Sequence, residues 1–110
     1  MSNTVNPAPA AADLAALHDR ADHVAARLAL VANPKRLMIL CELSRGERSV
    51  GSLQSAIGLS QSALSQHLAR LREAGMLATR REAQTIHYRI CDPDVGALMA
   101  ALYDTFCGRR

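Results

Sequence analysis

Residues 59–75, LSQSALSQHLARLREAG, constrain this chain more than any other stretch. Leu64, Leu68 and Leu71 recur at helical spacing and form one apolar stripe. The opposite face carries Ser62, Gln66 and Glu73 at its centre, with Ser65 and Arg70 on its shoulders. Ser60 is suited to cap the start of such a helix, and Gly75 stands where it would stop. A helix buried on one side and short, polar and hydrogen-bonding on the other can lie against base edges. Just upstream, Val50–Ile57 reads as a shorter helix, with Gly58 making a tight turn between the two. Helix, glycine turn and polar-faced helix make up the helix-turn-helix pattern.

The remaining composition narrows the fold. The chain of 110 residues is one domain, 49% apolar, with one Phe, two Tyr and no Trp. Its core must therefore be aliphatic, which suits packed helices better than a β-sandwich. Residues 1–32 carry a net charge of −1, residues 33–91 carry +5, and residues 92–110 return to −1. An ordinary solvated surface would account for the arginines alone. Their coincidence with the helix-turn-helix points instead to a phosphate-binding face. Three cysteines without paired spacing indicate no disulfide framework. No secretory signal and no apolar run of about twenty residues is present, so the expectation is a soluble, cytoplasmic protein with reduced thiols.

In chain order, residues 1–12 read as a disordered tail and residues 13–110 as the folded domain. Across residues 13–32, Leu14, Leu17, Ala21, Val24, Leu28 and Val31 alternate steps of three and four. One helix with a coiled-coil-like seam is predicted, packing either on its own domain or in a dimer. Asn33 and Pro34 start the next helix, which carries Leu37, Ile39, Leu40, Cys41 and Leu43 and stops at Gly46. After the helix-turn-helix, Ile86, Tyr88 and Ile90 alternate with Thr85, His87 and Arg89. Residues 77–81 pair with them as a β-hairpin whose tip, near residues 82–84, holds Arg80, Arg81 and Gln84 at or beside it. Asp92 and Pro93 start a last helix with Val95, Leu98, Met99, Leu102 and Phe106, closed by Gly108. The predicted fold is mainly α, a winged helix-turn-helix with five helices in the order ααααββα.

With these elements in place, the chain resembles the ArsR/SmtB family of bacterial winged-helix repressors across residues 13–108. The most specific stretches are LSQSALSQHLARLREAGML and the wing strand TIHYRI. The resemblance implies a homodimer, joined through residues 13–32 and 92–108, that binds an inverted-repeat operator and releases it when an inducer arrives. It also implies that Gln61, Ser62, Ser65, Gln66 and His67 face the DNA, with Arg70 on a phosphate and Arg80, Arg81 and Gln84 in the wing. Neutral Ser and Gln read base edges, while Arg neutralises phosphate. His67 has an equally good reading as a histidine hydrogen-bonded within the domain. Ala83 stands where members of the family commonly have Gly, which leaves the tip geometry open.

Many relatives in this family sense metals. Here the usual Cys-x-Cys stretch is Arg48-Ser49-Val50-Gly51-Ser52, and the last helix has no histidine. His18 and His23 are five apart and share no helix face. No metal site and no cofactor is expected. Cys41 and Cys107 instead resemble the thiol pair of the sulfide-responsive branch, the SqrR/BigR-like repressors. In that branch persulfide or polysulfide links the two thiols and weakens DNA binding. Arg109 and Arg110 would favour thiolate at Cys107, and the carbonyl end of the helix would oppose it. Cys91 reads as a structural thiol, although a metal- or metalloid-sensing site using Cys41, Cys91 or Cys107 is the alternative. No nucleophile–base spacing or phosphate loop suggests an enzyme.

Overall fold

The computed structural model describes residues 9–108. Six helices and three strands follow in order: α1 Ala11–Asp19, α2 Ala21–Val31, α3 Pro34–Leu43, β1 Arg48–Ser49, α4 Val50–Ile57, α5 Gln61–Glu73, β2 Leu77–Glu82, β3 Thr85–Ile90 and α6 Pro93–Phe106. The fold is the expected mostly helical winged helix-turn-helix, but it has six helices rather than five. The predicted N-terminal helix is broken at Arg20, whose backbone (φ −107°, ψ 8°) ends α1 and precedes α2. The Arg20 N–H reaches back three residues to the Leu17 carbonyl (3.1 Å), a tightened final turn. The break has a local reason. No residue of α1 is buried, and the seam position next to the break is Ala21, too small to bridge the two halves. Helix α1 also starts at Ala11, inside the stretch read as tail; residues 1–8 of that tail lie outside the described residues. Arg109 and Arg110, invoked beside Cys107, lie outside them too.

Capping residues set the other boundaries. Asn33 Oδ1 accepts from the backbone N–H of Lys35 and of Arg36, each at 3.0 Å, and Pro34 occupies the first turn. Ser60 Oγ accepts from the Ala63 N–H (3.1 Å), and Asp92 Oδ1 from the Asp94 N–H (2.8 Å). Gly58 (φ +79°) turns the chain between α4 and α5, and Gly75 (φ +78°) turns it out of α5.

The core is aliphatic. Ile39 and Leu40 of α3, Leu53 of α4, and Leu64, Leu68 and Leu71 of α5 are buried together with Met76. The sequence pattern did not reveal β1, because two residues are too few to alternate. Arg48 and Ser49 pair with Tyr88 and His87, so the hairpin becomes a three-stranded antiparallel sheet in the order β1-β3-β2. Arg27 ties the layers together: its Nη1 donates to the Ala74 carbonyl at the end of α5 (3.0 Å), and its Nη2 pairs with Asp92 at the start of α6. The N-terminal seam is only partly covered by this chain: Val31 is buried in the core, but Leu14, Leu17 (51% exposed) and Leu28 remain at the surface. Among the described residues, no helix is long and apolar enough to cross a membrane.

The wing tip is a two-residue loop, Ala83-Gln84, joining Glu82 to Thr85. Ala83 adopts φ +56°, where its Cβ crowds the backbone, and it is the one non-glycine residue with positive φ among the described residues. Positive φ at the first loop position and not the second is the II′ pattern, which favours glycine there. Ala83→Gly is therefore expected to stabilise the protein by about 0.5–1 kcal/mol. A denaturation midpoint that moves upward with unchanged slope checks this, and a lower midpoint would contradict it.

Candidate nucleic-acid interface and thiol pair

Burial of Leu64, Leu68 and Leu71 sets the rotation of α5 and so decides which side chains face outward. Gln61, Ser62, Ser65, Gln66 and Arg70 are all exposed. Gln61 and Ser65 line an open groove between α5 and the wing, and Gln84 and Thr85 form its far wall. The fold thus brings Gln61 and Ser65 of α5 and Gln84 of the wing tip to one concavity, while Ser62 and Gln66 lie outside it. Such a surface can hydrogen-bond base edges or sugar–phosphate backbone.

Two of the residues predicted from sequence meet partners within the domain, which for His67 is one of its two expected readings. His67 is half-buried beside the leucine stripe, with Nδ1 3.4 Å from Arg36 Nη1. Burial, then the charges of Arg36 and Arg70, hold its imidazole below the ordinary histidine value. Arg80 is not a free charge. Its Nη2 donates to Glu47 Oε1 (2.7 Å), its Nε lies 3.2–3.3 Å from both Glu47 oxygens, and Glu82 is 3.7 Å from its Nη1. The hydrogen bond and charge of Arg80 hold the Glu47 carboxyl below its usual range. His87 Nε2 lies 3.4 Å from Glu82 on the same side. Arg81, opposite Ile86 in the ladder, remains exposed near the tip. Residues 47 and 80 are too far apart in the chain for any local pattern to pair them.

At the other end of the molecule, Cys41 of α3 and Cys107 just beyond α6 line one cavity of about 460 Å³. Leu37, Met99, Leu102 and Phe106 supply its apolar walls, and Glu42 and Arg45 lie at its edge. Both thiols are free and solvent-accessible. Partial burial, the charge of Cys107 and the charge of Glu42, in that order, push the Cys41 thiol above its ordinary value. Cys91 does not line this cavity. Its Sγ–H donates to the Gly75 carbonyl (3.4 Å) and its backbone N–H to the Met76 carbonyl (3.0 Å), so it clasps the turn after α5. His18 and His23 are exposed on separate helices. Among the described residues, no group of three or more His, Cys, Asp or Glu side chains is gathered as a metal site.

Comparison with known proteins identifies the family. Residues 33–79, which hold the helix-turn-helix and the start of the wing, match the family described as "Bacterial regulatory protein, arsR family". The biofilm growth-associated repressor of Agrobacterium fabrum is 47% identical over 94 residues, covering 86% of this chain and 80% of that protein. The transcriptional activator HlyU of Vibrio cholerae is 50% identical over 80 residues, 73% of this chain and 74% of that one. The crystal structure of the transcriptional repressor BigR from Xylella fastidiosa superposes with a TM-score of 0.78 at 44% identity, covering 83% of this chain and 93% of that one. A relative covered this fully at this identity shares the fold and the family, so this chain is a DNA-binding transcriptional regulator of the ArsR family, in its BigR-like branch.

Proposed function

We propose that this protein is a homodimeric repressor, working in the cytoplasm, whose grip on an inverted-repeat operator is loosened by reactive sulfur species through Cys41 and Cys107. The observation that carries this reading is the shared cavity: two free thiols, one on α3 and one just beyond α6, line one largely apolar pocket. The dimer reading rests on uncovered apolar side chains at both ends of the chain. Leu14, Leu17 and Leu28 on α1 and α2, and Tyr103 (67% exposed) on α6, want a partner surface. Two-fold symmetry would set the two α5 helices about one DNA turn apart. Gln61, Ser62, Ser65 and Gln66 then read base edges, Arg70 and Arg81 neutralise phosphates, and Gln84 reaches from the wing.

The chemistry needs no metal and no oxidant other than the persulfide. One cysteine thiolate attacks the outer sulfur of R–S–SH, taking it as a cysteine persulfide and releasing RSH. The second thiolate then attacks the inner sulfur, forming the Cys41–Cys107 disulfide and releasing H₂S. Two thiols lose two electrons, and the transferred sulfur gains them. A second equivalent of donor would leave one extra sulfur in the bridge, with the same by-products. Either bridge ties α3 to the end of α6. Because α6 carries part of the proposed dimer surface, a shift there changes the spacing of the two recognition helices.

Three outcomes are expected. Gln66→Ala should weaken operator binding by roughly 1–3 kcal/mol while leaving binding to random DNA nearly unchanged, measured by anisotropy at fixed salt. A persulfide donor should weaken operator binding by the wild-type protein by about 5- to 150-fold. Cys41→Ser or Cys107→Ser should abolish that response without changing basal affinity. If both variants respond like wild type, or a divalent metal or arsenite releases the DNA instead, the thiol switch is wrong. Finally, because the Cys41 thiol is raised, its alkylation rate in Cys107→Ser protein should still be climbing at pH 9. A plateau near neutral pH would show instead that Cys41 is an activated thiolate.

A further inference from the structure

Arg36 is buried, 8% exposed, and has no role in any of the chemistry above. Its Nε donates to the Leu30 carbonyl (2.6 Å), and its Nη1 meets His67 Nδ1 (3.4 Å). Among the described residues no carboxylate pairs with it. Arg36 and Arg70 line one open recess between the end of α2 and α5, and Glu73 is the one acidic residue in its lining. Two guanidiniums against one carboxylate leave the recess positive. A buried cation with no counter-charge is costly unless an anion completes it.

The hydrogen-bond chemistry then decides a tautomer. A guanidinium has five N–H donors and no acceptor, and it does not deprotonate in proteins. His67 Nδ1 must therefore offer a lone pair to Arg36, which places the single ring hydrogen on Nε2. Among the described residues, His67 Nε2 has no hydrogen-bond partner and is not enclosed, so it opens to solvent. We propose that Arg36 is a positioning residue that orients His67 as a neutral donor, its Nε2–H aimed at a DNA phosphate that sits beside Arg70 on the flank of α5. This rests on the reading of α5 as the DNA-contacting helix. Burial and the two neighbouring arginines keep the imidazole uncharged near neutral pH. The contact is then a hydrogen bond that displaces no counterion.

Salt dependence separates this from the alternatives. In His67→Asn, Oδ1 replaces Nδ1 as the acceptor for Arg36, and the outward donor is lost. Its operator affinity should fall about three- to tenfold at every KCl concentration, with an unchanged slope of log affinity against log salt. His67→Gln returns an N–H near the Nε2 position and should recover affinity to within about twofold. Arg70→Gln, which removes a charge, should instead flatten the slope by about 0.9. In the free wild-type protein, nitrogen–proton correlation spectra of the imidazole should show hydrogen on Nε2, a preference weakened in Arg36→Met. The proposal is overturned if His67→Asn binds like wild type, if it flattens the slope as Arg70→Gln does, if His67→Gln is no better than His67→Asn, or if the hydrogen sits on Nδ1. Loss on Gln66→Ala with none on His67→Asn sinks this proposal alone. No loss on Gln66→Ala sinks the reading of α5 itself.

Discussion

Burial of three leucines on one helix is the constraint on which the rest depends. Leu64, Leu68 and Leu71 are each essentially inaccessible to water. Removing one such side chain would cost about 2–5 kcal/mol, a large share of the stability of a domain this size. That energy holds α5 at a single rotation, and the rotation determines which polar residues meet solvent. The outward placement of Gln61, Ser62, Ser65 and Gln66 is therefore a consequence of core packing. The α4–α5 turn at Gly58 and the cap at Ser60 set where the helix begins, and Gly75 sets where it stops.

Electrostatics refines that surface. The basic excess of the middle segment is not uniformly available to DNA. Arg80 is engaged by Glu47 and Glu82, and Arg48 by Glu42. Arg27 bridges the end of α5 and the start of α6. Of the nine Lys and Arg in residues 33–91, Lys35, Arg45, Arg70, Arg72, Arg81 and Arg89 stay exposed outside those ion pairs, so the positive face is narrower than a count of cations suggests. The wing thus combines a structural ion-pair cluster on the Arg80–His87 side with an exposed charge at Arg81.

The thiols follow the same logic of placement. Cys91, beside the turn after α5, is spent on hydrogen bonds that close that turn. Cys41 and Cys107, sixty-six positions apart in the sequence, line a common apolar cavity because α3 and α6 flank it. An apolar cavity that holds two thiols favours uncharged, polarisable sulfur over hydrated ions.

By itself the sequence determined the local geometry. The three caps, the rotation of α5, the hairpin and its inward and outward alternation were all legible, because each is set by backbone periodicity over a few residues. The Cys41–Cys107 pairing was visible only through family resemblance, and geometry supplied the shared cavity. Tertiary structure alone decided the added strand β1, the diversion of Arg80 to Glu47, and the turn of His67 toward Arg36. Those features depend on which side chains meet after distant segments close on one another. No local period encodes such a meeting, since it is settled by how the layers pack.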